Sequence, residues 1–356
     1  MAPRFVIASL AGLALLLATT AAINAAVDPF QQYRIPSYPA RFYHAYQRYE
    51  NPGIARHYAF DRAIVASSFF ENISGSEVDR AFGRGKTMNL CESAMSPYDA
   101  RMLIDTALEG GRVKEVIYGV DYPAFAIDAD RPGVGESLPL FMYDTRRWND
   151  YPYLLSLVTL HRSLEIIAGW AGEGYRTDPD SPWYWADGVE FSARRVLDGL
   201  DPDNINFRYQ QVQRNVPAMM ASFEANVVPV ARDHPGTQFI FVWPPYSVVA
   251  WIDLVQRDQL DVSLEFKKRF VEAMSRYPNV RIYDFQERTD WIGDLDNYRD
   301  IYHFSPAISS QLVRDIAAGR DRLTPENVDA RNAEMRRIAT TADLARIMAE
   351  ARAKPR

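Results

Sequence analysis

Apolar positions along the chain fall into two kinds of run. Residues 63–68, 87–90, 113–120, 237–243 and 279–285 are short and nearly continuously apolar, rich in Val, Ile, Phe and Tyr. The clearest, 237–243, reads Thr-Gln-Phe-Ile-Phe-Val-Trp between Pro235-Gly236 and Pro244-Pro245. Runs of this length and make-up predict strands buried on both faces. Between them, residues 97–109, 210–232 and 263–276 space their apolar side chains at helical intervals. Strands separated by helices predict an α/β protein: a three-layer α/β/α sandwich around a mainly parallel five-stranded sheet, with right-handed crossovers.

Three stretches break this alternation. Residues 123–205 hold a helical patch at 153–169 and then an aromatic loop at 178–185, ending Trp183-Tyr184-Trp185. They read as an insertion between the third and fourth strands, and a connection this long inside a compact domain is usually functional. The tail, 323–356, is charged and helix-prone without a strong apolar stripe, so it reads as a solvated or loosely docked helix. At the other end, residues 5–27 carry no charge, Arg4 precedes them and Asp28 is the first acid. That run is long enough to span a bilayer. It predicts an uncleaved anchor; cleavage as a signal at small residues around Ala22–Ala26 is the other reading. Either reading places residues 28–322 and the tail outside the cytoplasm, in the periplasm of a bacterial cell or beyond.

Composition narrows the chemistry. A formal net charge of −6 with no basic stretch argues against nucleic acid. The five histidines lie far apart, with no metal-type spacing such as His-x-x-x-His, so neither metal nor cofactor is expected. The single cysteine, Cys91, leaves no internal disulfide framework and reads as a small buried residue.

The candidate chemistry lies at two distant points. The first apolar run ends in Ala66-Ser67-Ser68, and Asp300-Ile301-Tyr302-His303 follows the fifth. Each has a plain reading: Ser68-Phe-Phe-Glu71 fits a helix capping box, and Asp-x-x-His recurs by chance. Taken together and in this order, they resemble the SGNH (GDSL-type) hydrolase superfamily over roughly residues 55–320. The resemblance implies strand order 2-1-3-4-5, with Ser68 as nucleophile at the switch point of the sheet. It implies His303 as general base and Asp300 as the group that orients the imidazole. Ser67 is the second candidate nucleophile.

The chain departs from the family pattern where oxyanion donors are expected. Ala66 stands for a glycine, the stretch 89–97 after the second run contains none, and Gly119-Val120-Asp121 replaces Gly-x-Asn. An ionised aspartate cannot donate. Asn72, Asn89 and the amides near Ser68 and Ser93 are the remaining candidate donors, and Asp121 and Tyr122, at the end of the third run, are expected to line the crevice, with packing at the core edge as an equal alternative. The pattern looks similar to divergent, membrane-anchored SGNH proteins of envelope-polysaccharide modification, such as alginate O-acetyltransferases. It implies an esterase or acyltransferase acting on an acyl-ester or polysaccharide, with an envelope protein complex as a further partner. A silent glycan-binding or scaffolding module is the alternative.

Overall fold

Each apolar run contributes one strand to a single parallel sheet: β1 (Arg62–Val65), β2 (Thr87–Asn89), β3 (Glu115–Gly119), β4 (Gln238–Trp243) and β5 (Val280–Asp284). The computed structural model describes residues 2–133, 138–170, 174–205 and 214–353. The strand order is β2-β1-β3-β4-β5. Ile64 pairs with Asn89 on one side and Ile117 on the other; Ile117 pairs in turn with Ile240. β1 to β3 are buried along their whole length, as continuous apolar strands require. β1, β2, β3 and β5 stop short of the ends of their apolar runs, whose last residues turn off the sheet into loops, whereas β4 runs to the end of its own at Trp243.

The longer helices are α1 (Ala2–Val27), α2 (Gln47–His57), α3 (Gly75–Phe82), α4 (Pro97–Leu108), α5 (Leu157–Ile167), α6 (Val216–Asn226), α7 (Val248–Gln256), α8 (Leu260–Met274), α9 (Pro306–Ala317), α10 (Val328–Thr341) and α11 (Leu344–Ala353). Right-handed crossovers place α3 and α9 on one face of the sheet and α4, α6 and α8 on the other. The contacts agree: α3 packs on α9, and α6 packs on both α4 and α8. The result is a three-layer α/β/α sandwich. An aromatic cluster of Phe223, Phe241, Trp243, Phe266 and Phe270 joins β4 to α6 and α8. Lys267 of α8 reaches Asp284 at the end of β5, 2.8 Å away, both side chains 1% exposed.

The helix expected over 210–232 is two helices, α6 and Val228–Asp233, and residues 210–213 lie outside the described residues. The patch at 153–169 is also split, into a short turn Tyr151–Leu154 and α5 capped by Ser156. Parts of the 123–205 stretch, residues 134–137 and 171–173, lie outside the described residues as well. That stretch does fall between β3 and β4, and its Tyr175–Arg176 pairs antiparallel with Phe42–Tyr43. The tail differs most from expectation. It packs through Val328, Met335, Ile338, Leu344 and Met348, all buried. Asn332 and Arg331 also donate to the backbone carbonyls of Leu264 and Asp284. Within each helix its apolar positions sit three, four or seven apart, which makes one narrow stripe per helix, easily masked by the surrounding charge.

Candidate active site

The carboxyl ends of β1, β3 and β4 and the loop after β5 converge on one crevice. β1 enters a single 3-10 turn, Ser68–Phe70, immediately after Ser67. Space for that turn is left by Gly119 of β3, where a Cβ would lie 2.6 Å from the Ala66 methyl and 2.8 Å from the Phe70 ring. The expected capping box does not form. Glu71 turns away from Ser68 and accepts from Gln47 Nε2 at 2.8 Å, Ser93 Oγ at 2.9 Å and the His44 ring at 2.9 Å. α3 is capped instead by Ser74. Ser68 is thus left without a capping duty and stays partly exposed.

Ser68 Oγ lies 2.7 Å from His303 Nε2. On the far side of the ring, Nδ1 lies 2.8 Å and 3.0 Å from the two Asp300 oxygens. Asp300 also accepts from the Tyr302 and His303 amides, each at 2.9 Å, so its carboxylate ties the loop as well as the ring. Burial pushes this carboxyl up, but hydrogen bonding and charge from His303, with the two amides, outweigh it and hold it below the usual carboxylate value. Two anionic oxygens on Nδ1 favour the tautomer that presents Nε2 to the serine as an acceptor.

Two rings fix the imidazole. Phe69 lies tilted against it at 4.9 Å, and Trp185 meets it edge-on at 5.6 Å. Trp185 comes from the inserted stretch, and its Nε1 donates to the Ser68 carbonyl at 3.1 Å. The Arg299 guanidinium sits over the Trp185 ring at 4.6 Å and reaches Asp300 at 3.5 Å. Trp185 therefore walls the nucleophile, whereas Trp183, next in the same motif, is fully buried in the core.

The expected donor residues are placed differently. Asn72 Oδ1 accepts from the Trp185 and Ala186 amides at 3.0 Å and 3.2 Å, so this side chain anchors the aromatic loop. Asn89 is fully buried and donates to the Phe70 and Ile73 carbonyls. The Ser93 amide is taken by Gln47 Oε1 at 2.9 Å, and its hydroxyl by Glu71. Tyr122 does not line the crevice: it is fully buried between Trp243 and Trp251 and donates to Gln286 at 2.9 Å. Of that group only Asp121 faces the serines. Its carboxylate accepts from Tyr246 OH at 2.7 Å and from Ser67 Oγ at 3.5 Å. Burial raises its pKa, and the hydrogen bond from Tyr246 and the nearby charge of Arg214 and His303 only partly offset that.

Tyr246, Arg299 and Phe69 escape a motif search. Tyr246 lies just past Pro244-Pro245, at the carboxyl end of the strongest strand, which is the one positional hint for it. Cys91 is fully buried and its thiol is pushed well up by burial, so it is inert as a nucleophile. No group of three His, Cys, Asp or Glu side chains suited to a metal ion occurs among the described residues.

No protein-family model matches the chain, and no curated protein sequence matches it. Among solved structures, the chain is similar to a Streptococcus pneumoniae protein carried under the provisional description platelet activating factor, at 13% identity and a TM-score of 0.40. The match covers 76% of this chain and 91% of the other, a likeness too distant to bear on function.

Proposed function

We propose that the chain is a membrane-anchored, extracytoplasmic serine esterase or acyltransferase of SGNH type, acting on acyl groups such as acetyl on an envelope or extracellular polysaccharide. The observation that carries this reading is the relay Asp300–His303–Ser68, with hydrogen bonds of 2.8 Å and 2.7 Å at the carboxyl edge of a parallel sheet.

In this reading Ser68 Oγ attacks the acyl carbonyl and His303 Nε2 takes its proton. Asp300 holds the ring and stabilises the imidazolium without itself being protonated. The tetrahedral intermediate then collapses: His303 returns the proton to the leaving alcohol, and the acyl group stays on Ser68 Oγ. Water or a sugar hydroxyl, deprotonated by His303 in turn, takes the acyl group in the second half and regenerates the serine. The Ser68 amide and Asn72 Nδ2, which is buried without a hydrogen-bond partner, are the donors left for the oxyanion; the Ser93 amide and Asn89 are occupied. Trp185, partly exposed, puts an aromatic side chain beside the nucleophile for a sugar to pack against.

One observation favours a second reading, a silent glycan-binding or scaffolding module. Asp121 stands where an asparagine donor is expected, and an anion there opposes the oxyanion. Loss of one such donor costs about 3–4 kcal/mol of transition-state stabilisation. The two readings separate on turnover of an activated acetyl ester by the full-length protein. The enzyme reading expects hydrolysis that Ser68→Ala abolishes; equal rates for the parent and Ser68→Ala would favour the silent module.

A further inference from the structure

α5 is amphipathic in the inverted sense. The side chains turned toward the protein are Thr159 (1% exposed), Ser163 (0%) and Glu165 (8%), with Glu165 held by Arg162 at 2.8 Å. Those turned outward are Leu157 (77%), Val158, Leu164 and Ile167 (63%), with His161 the one polar side chain among them, reaching back to Glu165 at 3.3 Å. A helix on a water-facing surface does the opposite. The patch does not stop at α5. Outside α1, every large exposed apolar side chain among the described residues except Ile35 falls within residues 140–170, including Trp148 and Trp170. Contiguous exposure of this kind marks an interface.

The position of α1 says which interface. α1 is exposed from Pro3 to Thr19, and Thr20 is its first buried residue. Below that point it docks on α5: Asn24 donates to the Leu154 and Ser156 carbonyls, and Ser163 Oγ donates to Asn24 Oδ1 at 3.1 Å. Asp28 then accepts from Tyr153 OH at 2.7 Å. The exposed part of α1 is about 25 Å long at the α-helical rise, close to the roughly 30 Å of a hydrocarbon core. If α1 crosses a bilayer, α5 sits where it leaves. Trp148 and Trp170 flank the patch, with Arg146 and Arg147 exposed beside Trp148. Tryptophan and arginine at this level are the usual neighbours of lipid headgroups.

We infer that the apolar face of α5 and its flanking tryptophans lie in the lipid headgroup and upper acyl region, a second membrane contact beside α1. It holds the catalytic domain against the bilayer surface rather than free on a tether. The inference rests on the anchor reading of α1. It deepens that reading by naming a second, independent surface, of the interfacial-helix kind.

The test uses the full-length protein in phosphatidylcholine–phosphatidylglycerol vesicles. An environment-sensitive fluorophore is placed in turn at Leu164→Cys, Ile167→Cys, Leu13→Cys and Ala333→Cys. Cys91 is fully buried and stays unlabelled. Position 13 reports the anchor and position 333, exposed on α10, reports bulk water. The expected result is a blue shift at 164 and 167 and at least about two-fold stronger quenching by acyl-brominated lipid than at 333. Unshifted, unquenched probes at 164 and 167 beside a quenched probe at 13 would overturn the inference and leave the anchor intact. No quenching at 13 either would overturn both. A blue shift at 164 and 167 without lipid quenching would mean that a protein, a second copy included, covers the patch, and would also overturn it.

Discussion

Asp121 is the residue at which this site departs most from what its serine needs. It occupies the end of β3, facing Ser67 and Tyr246, with a carboxyl whose pKa is raised by burial. An amide there would accept from Tyr246 as the carboxylate does and would add a donor toward the oxyanion. Asp121→Asn is therefore expected to raise acetyl-ester turnover by about ten-fold or more, from the usual worth of one oxyanion donor. The pH profile should change in step. Asp121 loses its proton at higher pH than an ordinary aspartate, so the parent's rate should carry a falling contribution as pH rises past the usual aspartate range and the anion forms, and the Asn variant's should not. An unchanged rate and profile would mean that Asp121 lies outside the reacting region.

Asp300 has the opposite shift and the opposite sign. Its folded pKa lies below the ordinary value. The stability it contributes is present above the unfolded pKa and is lost as pH falls through the folded one. The stability gap between the parent and Asp300→Asn, measured by denaturant melts across pH, should therefore be constant near neutrality and close as the pH drops below the usual aspartate range. A gap that widens in acid would contradict the assignment.

At the scale of elements, the crevice depends on close approach between β1 and β3. Gly119→Ala would drive a methyl against Ala66 and Phe70, both buried. Overpacking of this kind costs about 1–3 kcal/mol, and the strain falls on the turn that carries Ser68. A lower melting temperature together with slower acylation is expected; an unchanged melt would show that β1 and β3 have slack here. The same junction explains what was legible in sequence. The five strands could be read because their runs are apolar on both faces, and the ends of those runs pointed to Ser68 and His303. The helices α2, α7 and α9 escape a sequence reading because polar residues such as Glu50, Asn51, Asp253 and Asp315 are buried within them and blur the stripe; α3 is only 8 residues long and buries just Gly75 and Val78. Of the two readings open for Tyr122, lining the crevice or packing at the core edge, the structure takes the second: Tyr122 is buried, while its neighbour Asp121 faces the crevice. Sequence does not show Gln47 taking the Ser93 amide, nor Trp185 arriving from more than a hundred residues away to take Asn72 Oδ1 and leave its Nδ2 unpaired.

At the scale of the molecule, the sheet is held to its α8 layer partly by charge. Lys267 donates to Asp284 at 2.8 Å and to Gln286 at 3.2 Å, in a site where Gln286 also accepts from Tyr122. Lys267→Met leaves Asp284 buried without its cation, which costs about 3–5 kcal/mol. A double variant, Lys267→Met with Asp284→Leu, should recover much of that loss in denaturant melts. Failure of the double variant to recover would show that the pair is needed for geometry at the end of β5 and not merely neutralised there.

The central claim is that the fold brings Ser68 to His303 as an activated nucleophile. Its most direct measurement is labelling of the folded, full-length protein with a fluorophosphonate, read by peptide mass spectrometry. The account predicts one adduct, on the peptide carrying Ser68. It should be absent in Ser68→Ala and slowed by several orders of magnitude in His303→Ala. No adduct on folded protein, or an adduct whose rate His303→Ala leaves unchanged, would contradict it.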